Sequence, residues 1–121
     1  MATLNTFTIV GGLTADPEVR FNTNGKAMAT FTIASSERSY DRERNEWVEK
    51  STLYMRCVLW GKAAENVAET LRKGDRVIAT GTLVASSYTD RDGNKRTSTE
   101  MRVEEVGPSL LFKTYKATET G

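Results

Sequence analysis

The chain has no histidine, a single cysteine and two prolines. Without histidine it lacks the usual general base, the commonest metal ligand and the usual pH switch. The lone Cys57 permits no intrachain disulfide and fits a reducing compartment. With no second cysteine beside it, neither a zinc site nor a cysteine nucleophile finds its partners. No apolar run approaches the roughly 18 residues of a membrane span. Met1 to Phe7 carries no basic segment leading into an apolar run, so no signal peptide is expected. The acidic pairs Asp16 with Glu18 and Glu104 with Glu105 have no general base beside them. Gly61-Lys62 lacks the upstream glycine and the following Ser or Thr of a phosphate loop. No enzyme activity and no cofactor are expected.

Charge of one sign is missing too: 17 Lys plus Arg stand against 16 Asp plus Glu, a net charge of +1. That balance gives no global pull on a polyanion, so a nucleic-acid binder of this composition would have to sort its charges by face. What is present, 38% hydrophobic and 27% charged residues in 121, suits one domain with one core. A domain this small gains from oligomerisation.

The pattern is one of strands with a single helix. Phe7 and Ile9 alternate with Thr6 and Thr8, and Gly11-Gly12 is expected to break that run. Asp16-Pro17 marks a turn. Asn24-Gly25 signals a tight turn into a strand whose Ala27, Ala29, Phe31 and Ile33 share one face. Ser35 to Lys50 reads as a long loop or protruding hairpin, and Ser51 to Trp60 as a strand. Lys62 to Lys73 is the helix, with Ala64, Val67, Ala68 and Leu71 at helical spacing and Gly74 as a left-handed cap. Arg76 to Ser86 and Thr97 to Val106 complete the strands around a second turn signal, Asp92-Gly93. Leu110 to Tyr115 could add a short extra strand. The expectation is an all-β, five-stranded OB-fold barrel with one α-helix between the third and fourth strands. One domain would span residues 1–116, with a frayed tail over 117–121.

Alternation on Ser51 to Trp60 puts Leu53, Met55, Cys57 and Leu59 on one face, read as core. Thr52, Tyr54, Arg56, Val58 and Trp60 fall on the other. Aromatics interleaved with a guanidinium on a sheet surface suit single strands, because any base can stack on them and a duplex hides its base faces. The competing explanation is an oligomer contact, which Arg56 argues against because interface cores are poor in charge. Tyr88, followed by Arg91, Lys95 and Arg96 around one turn, extends the same surface, although a solvated hairpin tip explains each charge singly. In the Ser35 to Lys50 segment, Arg38, Tyr40, Arg42, Arg44, Trp47 and Lys50 are interrupted by the acidic neighbours Glu37, Asp41, Glu43, Glu46 and Glu49. There binding and structural roles weigh equally, with Trp47 serving to pin the hairpin in the latter.

Val10-Gly11-Gly12-Leu13-Thr14-Ala15-Asp16-Pro17-Glu18-Val19-Arg20, Leu59-Trp60-Gly61-Lys62-Ala63-Ala64-Glu65 and Leu71-Arg72-Lys73-Gly74-Asp75-Arg76-Val77 together resemble the bacterial single-stranded DNA-binding proteins. Asn66-Val67-Ala68-Glu69 and Val106-Gly107-Pro108-Ser109-Leu110 look most like the actinobacterial branch. The resemblance covers about Leu4 to Phe112. It implies an OB barrel, a homotetramer wrapped by single-stranded DNA, no membrane, and a cytoplasmic, nucleoid-associated role in DNA replication, repair and recombination. Base-stacking positions carry over to Tyr54, Trp60 and Tyr88, and more loosely to Tyr40. Arg56 sits between two of them, and Lys62, Arg91, Lys95 and Arg96 are the accompanying cations. Family members usually continue into a Gly/Pro-rich linker and an acidic tip that recruits replication and repair proteins. Thr118-Glu119-Thr120-Gly121 shows neither, so such partners are expected only of a form carrying that tip. The actinobacterial likeness further implies that the segment after Pro108 clasps a neighbouring subunit. An OB-fold protein–protein adaptor, or an OB protein preferring RNA, remain the alternatives.

Overall fold

The computed structural model describes residues 5–118. Residues 1–4, where the targeting-signal expectation begins, and residues 119–121 of the expected frayed tail lie outside the described residues. The elements in order are β1 (Thr6–Leu13), β2 (Glu18–Phe21), β3 (Ala27–Asp41), β4 (Glu46–Trp60), α1 (Lys62–Thr70), β5 (Arg76–Thr89) and β6 (Lys95–Pro108).

Five of the strands form a closed ring of ladders. β1 pairs with β5, β5 with β6, β6 with β4, β4 with β3, and β3 returns to β1 through Gly12 opposite Ala34 and Leu13 opposite Ile33. All these pairings are antiparallel except β4 with β6, where Cys57 and Val58 lie opposite Met101 and Arg102. The helix falls between the third and fourth strands of the ring in chain order, β4 and β5, which is the OB-fold arrangement. β2 hangs on the outer edge of β3 as a short extra strand that the sequence reading did not separate.

Gly11-Gly12 does not end β1 as expected. The strand runs through to Leu13, and the glycine is there for closure: a Cβ on Gly11 would sit 2.3 Å from the Ala34 carbonyl oxygen. Asp16-Pro17 does mark the break before β2, and the Asp16 carboxylate accepts the Lys73 backbone N–H at 2.8 Å. The two glycine turns share one scheme. Asn22 Oδ1 accepts the N–H groups of Asn24 and Lys26, and Asp90 Oδ1 accepts those of Asp92 and Asn94. Gly25 and Gly93 occupy the left-handed region at the same place in each.

Ala27, Ala29, Phe31 and Ile33 are buried as the alternation required, with Ile9, Leu13, Met55, Cys57, Leu59, Val77, Ala79 and Met101 filling the barrel. Ala64 and Val67 of α1, and Leu71 just beyond it, pack against the same core. One assignment on β4 is corrected: Leu53 is 47% exposed because β3 and β4 have run past the end of the barrel there. Val58 keeps the outer face expected of it, outside the barrel core, but is buried in mid-sheet between Thr30 and Arg102.

The helix is shorter than expected. It ends at Thr70, since Leu71 is already extended, so Gly74 is no helix cap. Its left-handed backbone serves the turn in which the Asp75 N–H reaches the Arg72 carbonyl, and its own N–H bonds the Leu13 carbonyl at 2.8 Å. Residues 110–115 form no strand within the chain. They lie against the barrel instead: the Ser109 N–H meets the Arg76 carbonyl, Arg76 covers the Phe112 ring at 5.9 Å, and Lys113 pairs with the buried Asp75. Burial by itself would raise the Asp75 pKa. The hydrogen bonds from Lys113 and the Arg72 N–H outweigh it and hold the carboxyl below its usual range.

Candidate nucleic-acid interface

The outer face of β4 carries Tyr54, Arg56 and Trp60 because the inner face is fixed by Met55, Cys57 and Leu59. Cross-strand register then determines what surrounds them. Trp60 lies opposite Met28, which lies opposite Arg20 on β2. Val58 lies between Thr30 and Arg102, and Tyr54 opposite Ala34. Arg56 lies opposite Thr32 and reaches Glu100 of β6 at 3.9 Å, a long, partly exposed ion pair that contributes little to stability.

Beyond the barrel, β3 and β4 continue as a protruding hairpin, one of the two forms foreseen for Ser35 to Lys50. Its turn is organised by Asp41, whose carboxylate accepts the N–H groups of Glu43 and Arg44, and Asn45 takes a positive φ of 53°. At the tip Tyr40 and Trp47 lie opposite each other, with ring centroids 5.5 Å apart in an edge-on arrangement. Arg44 is drawn towards Asp41 and Glu46.

A second arm is formed by β5 and β6. Tyr88 lies opposite Arg96, and Thr89 opposite Lys95. Alternation therefore puts Tyr88 and Arg96 on one face and Lys95 on the other. The structure thus separates cations that the sequence grouped around one turn. Arg96 is also held by Asp90 at 2.9 Å, and this contact, with the Asn94 N–H, keeps the Asp90 carboxyl below its usual range. Arg91 is exposed in the turn itself, and Lys62 is exposed at the start of α1.

All five aromatics are open to solvent: Tyr40 47%, Trp47 68%, Tyr54 67%, Trp60 40% and Tyr88 54%. Arg20 and Arg102 were missed as candidates. Their exposure on the rows through Trp60 and Val58 depends on strand neighbours, although alternation from the core residues Met101 and Val103 does point Arg102 outward. The face carries Arg20, Arg56 and Arg102 against Glu18, Glu100 and Glu104, with Glu100 engaged by Arg56 and Glu104 accepting from the Thr82 hydroxyl. Cys57 lies beneath this face in the core, where burial pushes its thiol up to about 12 and leaves it inert.

Comparison with known proteins agrees with this architecture. The model of the "Single-strand binding protein family" matches residues 4–109. A single-stranded DNA-binding protein of Paenarthrobacter aurescens is 50% identical over 120 residues, which is 99% of this chain and 70% of that one. One from Mycobacterium tuberculosis H37Rv is 51% identical over 119 residues, covering 98% and 73% of the two chains. Among solved structures, a chain of a Plasmodium falciparum SSB complex with ssDNA superposes with a TM-score of 0.75 at 24% identity. It covers 90% of this chain and 97% of its own, a likeness of fold. With the family pattern matched along nearly the whole described barrel and half the residues shared with actinobacterial relatives, the chain belongs to the single-strand binding protein family.

Proposed function

We propose that this chain binds single-stranded DNA without sequence preference, by stacking bases on Tyr54, Trp60, Tyr88 and Tyr40 and pairing phosphates with nearby cations. The observation that carries the reading is the outward row Tyr54, Arg56 and Trp60 on a barrel of this family. Aromatic faces accept any base, and a guanidinium between them can meet phosphate or stack in its turn. Arg20, Arg56 and Arg102 supply charge beside the row, with Lys62, Arg91 and Arg96 at its margins, while Lys95 lies on the other face of its arm. Affinity then falls as salt rises, because each neutralised phosphate releases counterions.

The role is protective and not enzymatic, in replication, repair and recombination, in the compartment that holds the nucleoid. The working form is a homotetramer, a state supported by the exposed apolar side chains Val10, Ile78, Leu110, Leu111 and Phe112, which a lone barrel leaves uncovered.

The test is intrinsic fluorescence titrated with oligo(dT), oligo(U) and a matched duplex at two salt concentrations. Quenching by oligo(dT), weakened by salt and absent with duplex, is the expected result. Stronger quenching by oligo(U) would turn the assignment to RNA. A flat signal with all three, together with no binding in a direct assay, would replace it by a protein–protein adaptor.

A further inference from the structure

The β3–β4 ladder changes register between Glu37 and Arg38: Glu37 lies opposite Ser51, but Arg38 lies opposite Glu49, leaving Lys50 as an extra residue on β4. A one-residue bulge reverses which side chains face which way beyond it. Counting back from Tyr54 by twos reaches Thr52, Lys50 and Val48, which would put Trp47 on the face opposite Tyr54. The bulge returns it. The side chains confirm the crossover, because Thr52, in phase with Tyr54, bonds both Ser36 and Glu49. The Ser36 and Thr52 hydroxyls, aided by Arg38, hold the Glu49 carboxyl below its usual range. From Glu49 one step of two leads to Trp47.

Along β3 no residue is skipped. Trp60, Tyr54 and Trp47 lie opposite Met28, Ala34 and Tyr40, positions 28, 34 and 40, six residues apart each time. At the usual rise these intervals are about 20 Å along the strand. The hairpin thus presents three aromatics separated by two equal intervals on one face, with Arg56 inside the first interval and Arg38 inside the second. The outermost is the most exposed: Trp47 is 68% open, its ring supported edge-on by Tyr40.

We propose that Trp47 is a further base-stacking position, brought onto the DNA-binding face by the Lys50 bulge and braced by Tyr40, so that one strand of DNA runs from Trp60 past Tyr54 to the hairpin tip. This rests on the single-strand reading above and extends it to a residue with an equal claim to a purely structural role.

The chain has only two tryptophans, Trp47 and Trp60, so each can be followed alone. In Trp60→Phe the remaining emission belongs to Trp47, and oligo(dT) should quench it. Trp47→Ala should weaken oligo(dT) binding about tenfold, and Trp47→Phe should restore most of the loss. Deleting Lys50 should reproduce the Trp47→Ala defect with the thermal midpoint little changed, since the bulge lies outside the barrel. If Trp60 in Trp47→Phe is still quenched while Trp47 emission stays flat and Trp47→Ala binds normally, the inference fails and the single-strand reading stands. If neither tryptophan responds and no binding is found, both fall. A changed subunit number in Trp47→Ala by sedimentation would assign Trp47 to a subunit contact and overturn the proposal.

Discussion

Between Ala27 and Ile33, β3 buries every second side chain in the barrel; between Ser36 and Asp41, it buries none. β4 does the same in reverse, exposed from Glu46 to Tyr54 apart from the half-covered Val48 and Thr52, and buried at Met55, Cys57, Val58 and Leu59. One pair of strands therefore has two kinds of support. Its base is fixed by removal of apolar surface from water. Its tip is held by ladder bonds, the Asp41 turn, the Ser36–Thr52–Glu49 hydroxyl cluster and the Tyr40–Trp47 contact. Side chains can vary at the tip without unsettling the barrel, while the base tolerates little.

The sharpest contrast is between Phe31 and Leu53. Phe31→Ala should cost about 3–5 kcal/mol in denaturant unfolding. Leu53→Ala, on the same hairpin, should stay within about 0.5 kcal/mol. Equal losses would mean that Leu53 is covered in the working assembly. Gly11→Ala comes next. Its new methyl must push against the Ala34 backbone where β1 closes on β3, and a loss of about 1–3 kcal/mol is expected, with binding affected only through folding. Tyr54→Ala reverses the pattern: an unchanged thermal midpoint with oligo(dT) affinity lowered about tenfold.

The smallest effect concerns Asp75. Because its native pKa is depressed, its contribution is present above the unfolded carboxyl pKa and lost as pH falls through the native value. The thermal-midpoint difference between the native chain and Asp75→Asn should therefore shrink on acidification. A difference that persists into acid would mean that packing, not the charge on Asp75, anchors residues 109–116.

Much of the barrel was legible in the sequence because strand alternation is local. Phe31 and Ile33 had to face inward together, and Asn24-Gly25 and Asp92-Gly93 had to turn. Tyr54, Arg56 and Trp60 followed from the same arithmetic, since the soft side chains at Met55, Cys57 and Leu59 named the inner face. Where two side chains looked alike locally, the reading went astray: Leu53 and Leu59 share a phase, but only Leu59 lies within the barrel's height. Gly11 resembled a strand breaker, although its missing side chain serves a contact with Ala34, 23 residues along the chain.

The sequence by itself determined most of the core, the place of the helix in the strand order and the aromatic row on β4, because each depends on spacing between near neighbours. Ring closure at Gly11, the separation of Lys95 from Tyr88 and the return of Trp47 to the outer face were decided only in the tertiary structure. Each depends on which residue of a distant strand lies opposite, and a single bulge at Lys50 is enough to reverse every side chain beyond it.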